Sequence, residues 1–195
     1  MREALRSCAR WLELGLDLTV AVNLSARDLL DLHLPDEVRL LLSETGLDPQ
    51  RVELEITENT ILSDPVRTRA ILSRLKELGV RLAIDDFGSG YSSLGYLKRL
   101  PLDVLKIDKS FVMSMLADDD SAAIVRSTID LAHNLGLEVV AEGVATEQIT
   151  ARLASLRCDA AQGFYFAGPM AEAEVASWAA EINLLRAAAL ERMTA

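Results

Sequence analysis

Sulfur and imidazole are the scarcest chemistry in this chain. Two cysteines, Cys8 and Cys158, and two histidines, His33 and His133, stand far apart with no CxxC or paired-ligand spacing. A disulfide framework and a structural zinc site have nothing to build on. Basic charge is in deficit as well: 20 Lys and Arg against 30 Asp and Glu leave a formal charge of −10. Such a surface is unsuited to gripping the phosphates of DNA or RNA, although a small phosphate ligand can still be held through metal ions. No apolar run approaches the roughly 20 residues a membrane helix needs, and Met1-Arg2-Glu3-Ala4-Leu5 carries no apolar signal region. The expectation is a soluble, cytoplasmic protein with no membrane segment.

What is present is apolar substance in a regular order. The 195 residues are 50% hydrophobic, enough for one compact core and too short for two comfortable domains. Short runs rich in Val, Ile and Leu alternate with longer amphipathic segments, the pattern of an α/β protein. Strands are predicted at 18–24, 51–57, 81–85, 103–108, 138–142 and 160–166. Helices are predicted at 1–15, from the first strand to about 45, and at 63–78, 92–99, 121–135, 146–156 and 171–190. Gly46 and Gly79 read as helix stops and Asp64-Pro65 as a helix start. Strands each separated by a helix form a parallel sheet buried on both faces. An open doubly wound sheet often carries a glycine-rich phosphate loop after its first strand, and none is present here. A (β/α)8 barrel instead gathers polar groups at the carboxyl ends of its strands. The barrel is the preferred reading, in incomplete form: about six β/α units, with two unpaired edges and an exposed core. Residues 1–178 make up this domain and 179–195 a C-terminal helical tail.

Polar residues recur at those strand ends: Asn23, Glu55, Asp85 with Asp86, Lys106, Glu142 and Gln162. On a barrel they converge on one mouth. Carboxylates crowded in a pocket repel one another and resist desolvation unless cations neutralise them. An oxygen-rich set suits Mg2+ or Mn2+ rather than zinc or copper. Adjacent acids such as Asp85-Asp86 can divide two ions, an arrangement used in phosphodiester hydrolysis. Lys106 can then hold the attacking water or a phosphate oxygen, and Glu142 can act as general base. Each residue also has a plainer role. A strand-end Asp often caps a helix. Lys106 serves equally as a salt-bridge partner or an aldolase-type Schiff-base lysine, Gln162 as a backbone partner at the rim, and Glu58 as a solvated loop charge. Phe87-Gly88-Ser89-Gly90-Tyr91-Ser92-Ser93 reads as an ordinary turn or as a mobile lid, the lid being preferred because paired acids precede it. Asp118-Asp119-Asp120 stands before a helix and is read as structural.

These segments carry a resemblance. Val22-Asn23-Leu24-Ser25, Glu55-Ile56-Thr57-Glu58, the run from Asp85-Asp86-Phe87-Gly88 to Leu94, Lys106-Ile107-Asp108, Ala141-Glu142-Gly143-Val144 and Gln162-Gly163 resemble, in order and spacing, the EAL-domain family of cyclic-di-GMP phosphodiesterases. The resemblance implies a (β/α)8 barrel of bacterial second-messenger signalling that opens cyclic di-GMP to the linear dinucleotide with two Mg2+ or Mn2+ ions. It implies that Asn23, Glu55 and Asp85 hold one metal, and that Asp86 shares the second with Asp85. Lys106 would orient water and Glu142 would be the base. Glu58 would steady the lid of Gly88, Ser89 and Gly90, and Gln162 would line the rim. It implies, too, a homodimer through the helix after the lid.

Two departures stand out. The family's signature Glu-Ala-Leu lies on an earlier strand, so Glu3-Ala4-Leu5 is a coincidence of letters in a helix and Glu3 is not assigned to the site. Ala145 stands where many members carry a further glutamate. Completion of the barrel by another chain or an upstream domain is the matching expectation, and a cyclic-di-GMP-binding module without catalysis is the alternative to the enzyme.

Overall fold

The computed structural model describes residues 1–88 and 94–182. The elements run α1 (Arg2–Glu13), β1 (Val20–Leu24), α2 (Leu34–Thr45), β2 (Val52–Thr57), α3 (Glu58–Ser63), α4 (Pro65–Glu77) and β3 (Arg81–Phe87). They continue with α5 (Leu94–Leu97), β4 (Val104–Ile107), α6 (Lys109–Ser114), α7 (Asp119–Asn134), β5 (Glu138–Ala141), α8 (Glu147–Ser155) and β6 (Ala160–Ala161), and residues 172–182 are helical. Ser89 and Gly90 of the expected lid, and residues 183–195 of the expected tail, lie outside the described residues. No described helix is long and apolar enough to cross a membrane.

All six strands are parallel and lie side by side in chain order. Each crossover therefore steps one strand in the same direction, the winding that rolls a sheet into a barrel. An open doubly wound sheet would reverse, and this one does not. Among the described residues β1 and β6 do not pair, so the sheet stays open.

The two faces of the sheet divide the labour. Val52, Leu54, Ile56, Leu82, Ile84, Leu105, Ile107 and Val139 alternate along their strands and are essentially inaccessible. They pack with Val38, Ile71, Leu72, Leu75, Val125, Ile129 and Leu153 of the helices in one apolar cluster, each such side chain stabilising by about 1.5–3 kcal/mol. The other face is polar at both ends. At its amino end Arg81 bridges Glu53 at 3.2 Å and Glu138 at 2.6 Å; the carboxyl end is described below.

Several boundaries differ from the sequence reading for local reasons. α2 begins late because Asp28 accepts bonds from the Ser25 amide at 2.8 Å and hydroxyl at 2.7 Å, fastening a tight turn. The last strand stops at Ala161 instead of running to 166 because the chain turns at Gly163 against the Val144 backbone. A Cβ on Gly163 would fall 2.2 Å from the Val144 carbonyl oxygen. α3 and α6, single turns directly after strands, are too short for hydrophobic period to reveal.

Candidate active site

Neighbouring residues of a regular strand point to opposite faces, so Asp85 and Asp86 cannot both reach one mouth without a distortion. β3 has one: its register against β4 shifts between Ile84 and Phe87, and Asp86 takes a left-handed backbone at φ 54°, which Asp tolerates better than most side chains. The Asp86 amide donates to Asp85 Oδ1 at 3.0 Å. Glu142 arrives from the end of β5. One carboxylate oxygen from each of Asp85, Asp86 and Glu142 lies within 4.8 Å of the others.

Lys106, 3% exposed on β4, stands among these acids. Its Nζ donates to Glu142 Oε1 at 2.5 Å and to Glu55 Oε1 at 2.6 Å, and lies 3.4 Å from Asp85 Oδ1. Burial alone would lower the pKa of this ammonium, but the bonds to Glu142 and Glu55 outweigh burial and hold it above its ordinary value. A lysine kept protonated is no amine nucleophile, which argues against a Schiff base. Burial pushes the Glu142 carboxyl up despite Lys106, with Asp85 and Glu55 adding to the rise. Burial and the charges of Asp85 and Asp108 push Asp86 up as well. One ammonium among four carboxylates leaves the mouth short of positive charge. The acids offer carboxylate oxygens without nitrogen or sulfur, a set that fits a hard dication such as Mg2+ or Mn2+.

The remaining candidates surround this centre. Asn23 is exposed on β1, in register with Glu55. Glu58, 1% exposed in the first turn of α3, accepts from the Gly88 amide at 3.2 Å through Oε2, while Oε1 has no partner among the described residues. Gly88 itself has φ 99°, and a Cβ there would meet the Phe111 ring at 3.1 Å. Gln162 is exposed at the end of β6 and, with Glu142, Gly143, Gly163 and Phe164, lines a cleft of about 420 Å³. Sequence reasoning missed Lys109 on that cleft. Its signal was available: it follows the Lys106-Ile107-Asp108 segment at the start of α6. Asp118 caps α7, accepting from the Ser121 amide at 3.0 Å, and stays outside the site. Glu3 is exposed on α1.

A parallel sheet wound in one direction, with acids and a lysine at its carboxyl end, defines an α/β scaffold of barrel type with its candidate site at the strand ends. The sequence model of the EAL domain matches residues 1–169, and the chain belongs to that family. Cyclic di-GMP phosphodiesterase NbdA of Pseudomonas aeruginosa is 48% identical over 153 residues, which is 78% of this chain and 20% of that protein. The chain thus spans between a fifth and just over a quarter of the length of the curated relatives it matches. Among solved structures, the PaMucR phosphodiesterase in its c-di-GMP complex is 43% identical with a TM-score of 0.85, covering 89% of this chain and 71% of that one. The EAL domain of Mycobacterium smegmatis DcpA is 39% identical with a TM-score of 0.87, covering 92% and 82%.

Proposed function

We propose that this chain is a cytoplasmic cyclic-di-GMP phosphodiesterase domain that adds water across one P–O3′ bond of the ring to give linear pGpG. The observation that carries the reading is the convergence of Asp85, Asp86 and Glu142 on one point beside Lys106, in a chain of the EAL family. Asp85, Asp86, Glu55 and Asn23 are the residues to hold two divalent ions, Mg2+ or Mn2+. Bound there, such ions would neutralise phosphate charge and acidify a water.

The chain's own groups do the rest. Glu142 takes the proton from the attacking water; Lys106 occupies its Oε1, which leaves Oε2 as acceptor, and burial, by pushing its carboxyl up, makes it a stronger base than an ordinary glutamate. Lys106 also ties Glu55 and Glu142 to one point, fixing strands β2 and β5 at the spacing the acids need. Glu58 anchors the segment after the acids through the Gly88 amide. On this reading the partners are cyclic di-GMP and a second copy of the chain, or another segment, that covers the open edges of β1 and β6.

The test follows linear product by chromatography after incubation with cyclic di-GMP and Mn2+ or Mg2+. Asp85→Asn and Glu142→Gln should each lower turnover by about 10²–10⁴-fold, and chelation should abolish it. Saturable nucleotide binding without product would replace the enzyme by a receptor that keeps the pocket and has lost the chemistry.

A further inference from the structure

Cyclic di-GMP carries two phosphodiester groups, and while one is hydrolysed over the acids the other must lie elsewhere on the protein. Lys106 cannot receive it, being 3% exposed and committed to Glu55 and Glu142. The cleft that opens beside Glu142 is lined by Lys109, Glu142, Gly143, Gln162, Phe164 and neighbouring small residues, and Lys109 is the one basic side chain among those lining residues. Lys109 is exposed, and its charge acts on the neighbouring Asp108 carboxyl while its side chain stays on the cleft.

Its place on the rim is fixed by the backbone. A Cβ on Gly143 would fall 2.5 Å from Lys109 Cβ and 3.2 Å from Lys109 Cα, so only glycine lets the residue after Glu142 sit this close to the first residue of α6. The base and the cation are thereby held on one cleft, by a contact that no longer side chain at 143 permits. Resting on the phosphodiesterase reading, we propose that Lys109 binds the second, non-scissile phosphate. It thereby sets a preference for cyclic dinucleotides over esters with a single phosphate.

Steady-state kinetics of the whole chain with Mn2+ test this, comparing cyclic di-GMP with bis(p-nitrophenyl) phosphate, which has one phosphate. Loss of a charge-assisted bond predicts that Lys109→Ala raises KM for cyclic di-GMP about tenfold. The accompanying changes should stay under about threefold in kcat and in KM for the single-phosphate ester, and Lys109→Arg should recover most of the loss. Equal effects on both substrates, or no effect on either, would overturn the proposal while leaving the phosphodiesterase reading intact. A wild-type chain that turns over neither substrate would sink that reading, and this proposal with it.

Discussion

Asp86 bears two penalties at one position. Its backbone is left-handed at φ 54°, a conformation in which Asn is among the best-tolerated side chains after glycine. Its carboxyl also lies within reach of Asp85 and Glu142 and is pushed up by burial and by Asp85 and Asp108. Asp86→Asn removes the repulsion, keeps the conformation, and supplies an amide that can donate to Asp108. We expect it to stabilise the metal-free protein by roughly 0.5–2 kcal/mol, or about 2–4 °C per kcal/mol for a chain of this size, while abolishing metal-dependent turnover. Calorimetry and the product assay check both halves; a destabilised variant would mean that the site acids are not in conflict. The sequence shows these acids to be adjacent and at a strand end. It does not show that both reach one mouth, because strand alternation sends neighbours to opposite faces and the bulge that reverses this depends on pairing with β4. The bonds from Lys106 to Glu55 and Glu142 are hidden for the same reason, since their spacing exists only once β2, β4 and β5 are side by side.

Two helix–strand units of the sheet share one fastening. Asp103, just before β4, accepts from the amide of Leu82, the second residue of β3, at 2.9 Å, and from Lys76 in the last turn of α4 at 2.6 Å. Asp159, just before β6, accepts from the amide of Val139, the second residue of β5, at 2.8 Å, and bonds His133 in the last turn of α7 at 2.9 Å. Each acid ties a helix end and a strand start to the strand that follows. Burial raises the Asp159 carboxyl, but the bonds from His133 and the Val139 amide outweigh it and hold it below its ordinary value. Its contribution is thus present above the unfolded value of 3.8 and lost as pH falls through the lower folded one. The Asp103 pair is more enclosed than the Asp159 pair. Asp103→Ala should therefore cost about 1–2 kcal/mol and Asp159→Ala about 0.5–1 kcal/mol. Hydrogen exchange should quicken locally at the Leu82 amide in the first variant and at the Val139 amide in the second. Unchanged protection at those amides would refute the fastening. The first five strands were legible in the sequence from their Val, Ile and Leu runs and the sixth in place though not in length, whereas these fastenings were not, because a lone Asp before a strand looks like any turn residue.

At the scale of the whole molecule the site acids set how stability responds to pH. Glu142 and Asp86 have folded pKa values above their ordinary 4.5 and 3.8. The folded protein therefore takes up protons at a pH where the unfolded chain has released them, and stability must rise as pH falls from neutrality toward those values. Groups of the opposite kind, Asp108 and Asp159, lie below 3.8 and withdraw their support only in stronger acid. Lys106, raised above 10.5, contributes fully at neutral pH and loses its contribution only as pH climbs through its folded value. Between about pH 5 and 7.5 the mouth should dominate, so the chelated protein should melt at a higher temperature at pH 5.5 than at pH 7.5. Added Mn2+ should reverse the slope, because an ion held by Asp85 and Asp86 beside Glu142 competes with the protons of this cluster and stabilises most when they are absent. The formal charge of −10 also favours the acid side through general self-repulsion, and Asp86→Asn separates the two causes. If the mouth is responsible, that single substitution makes the chelated slope markedly shallower, leaving the share of Glu142; if diffuse charge is responsible, removing one negative charge leaves the slope nearly as it was. A chelated wild type whose melting temperature climbs with pH would show that the acids are already neutralised from within, and that the ion is not what they are arranged to hold.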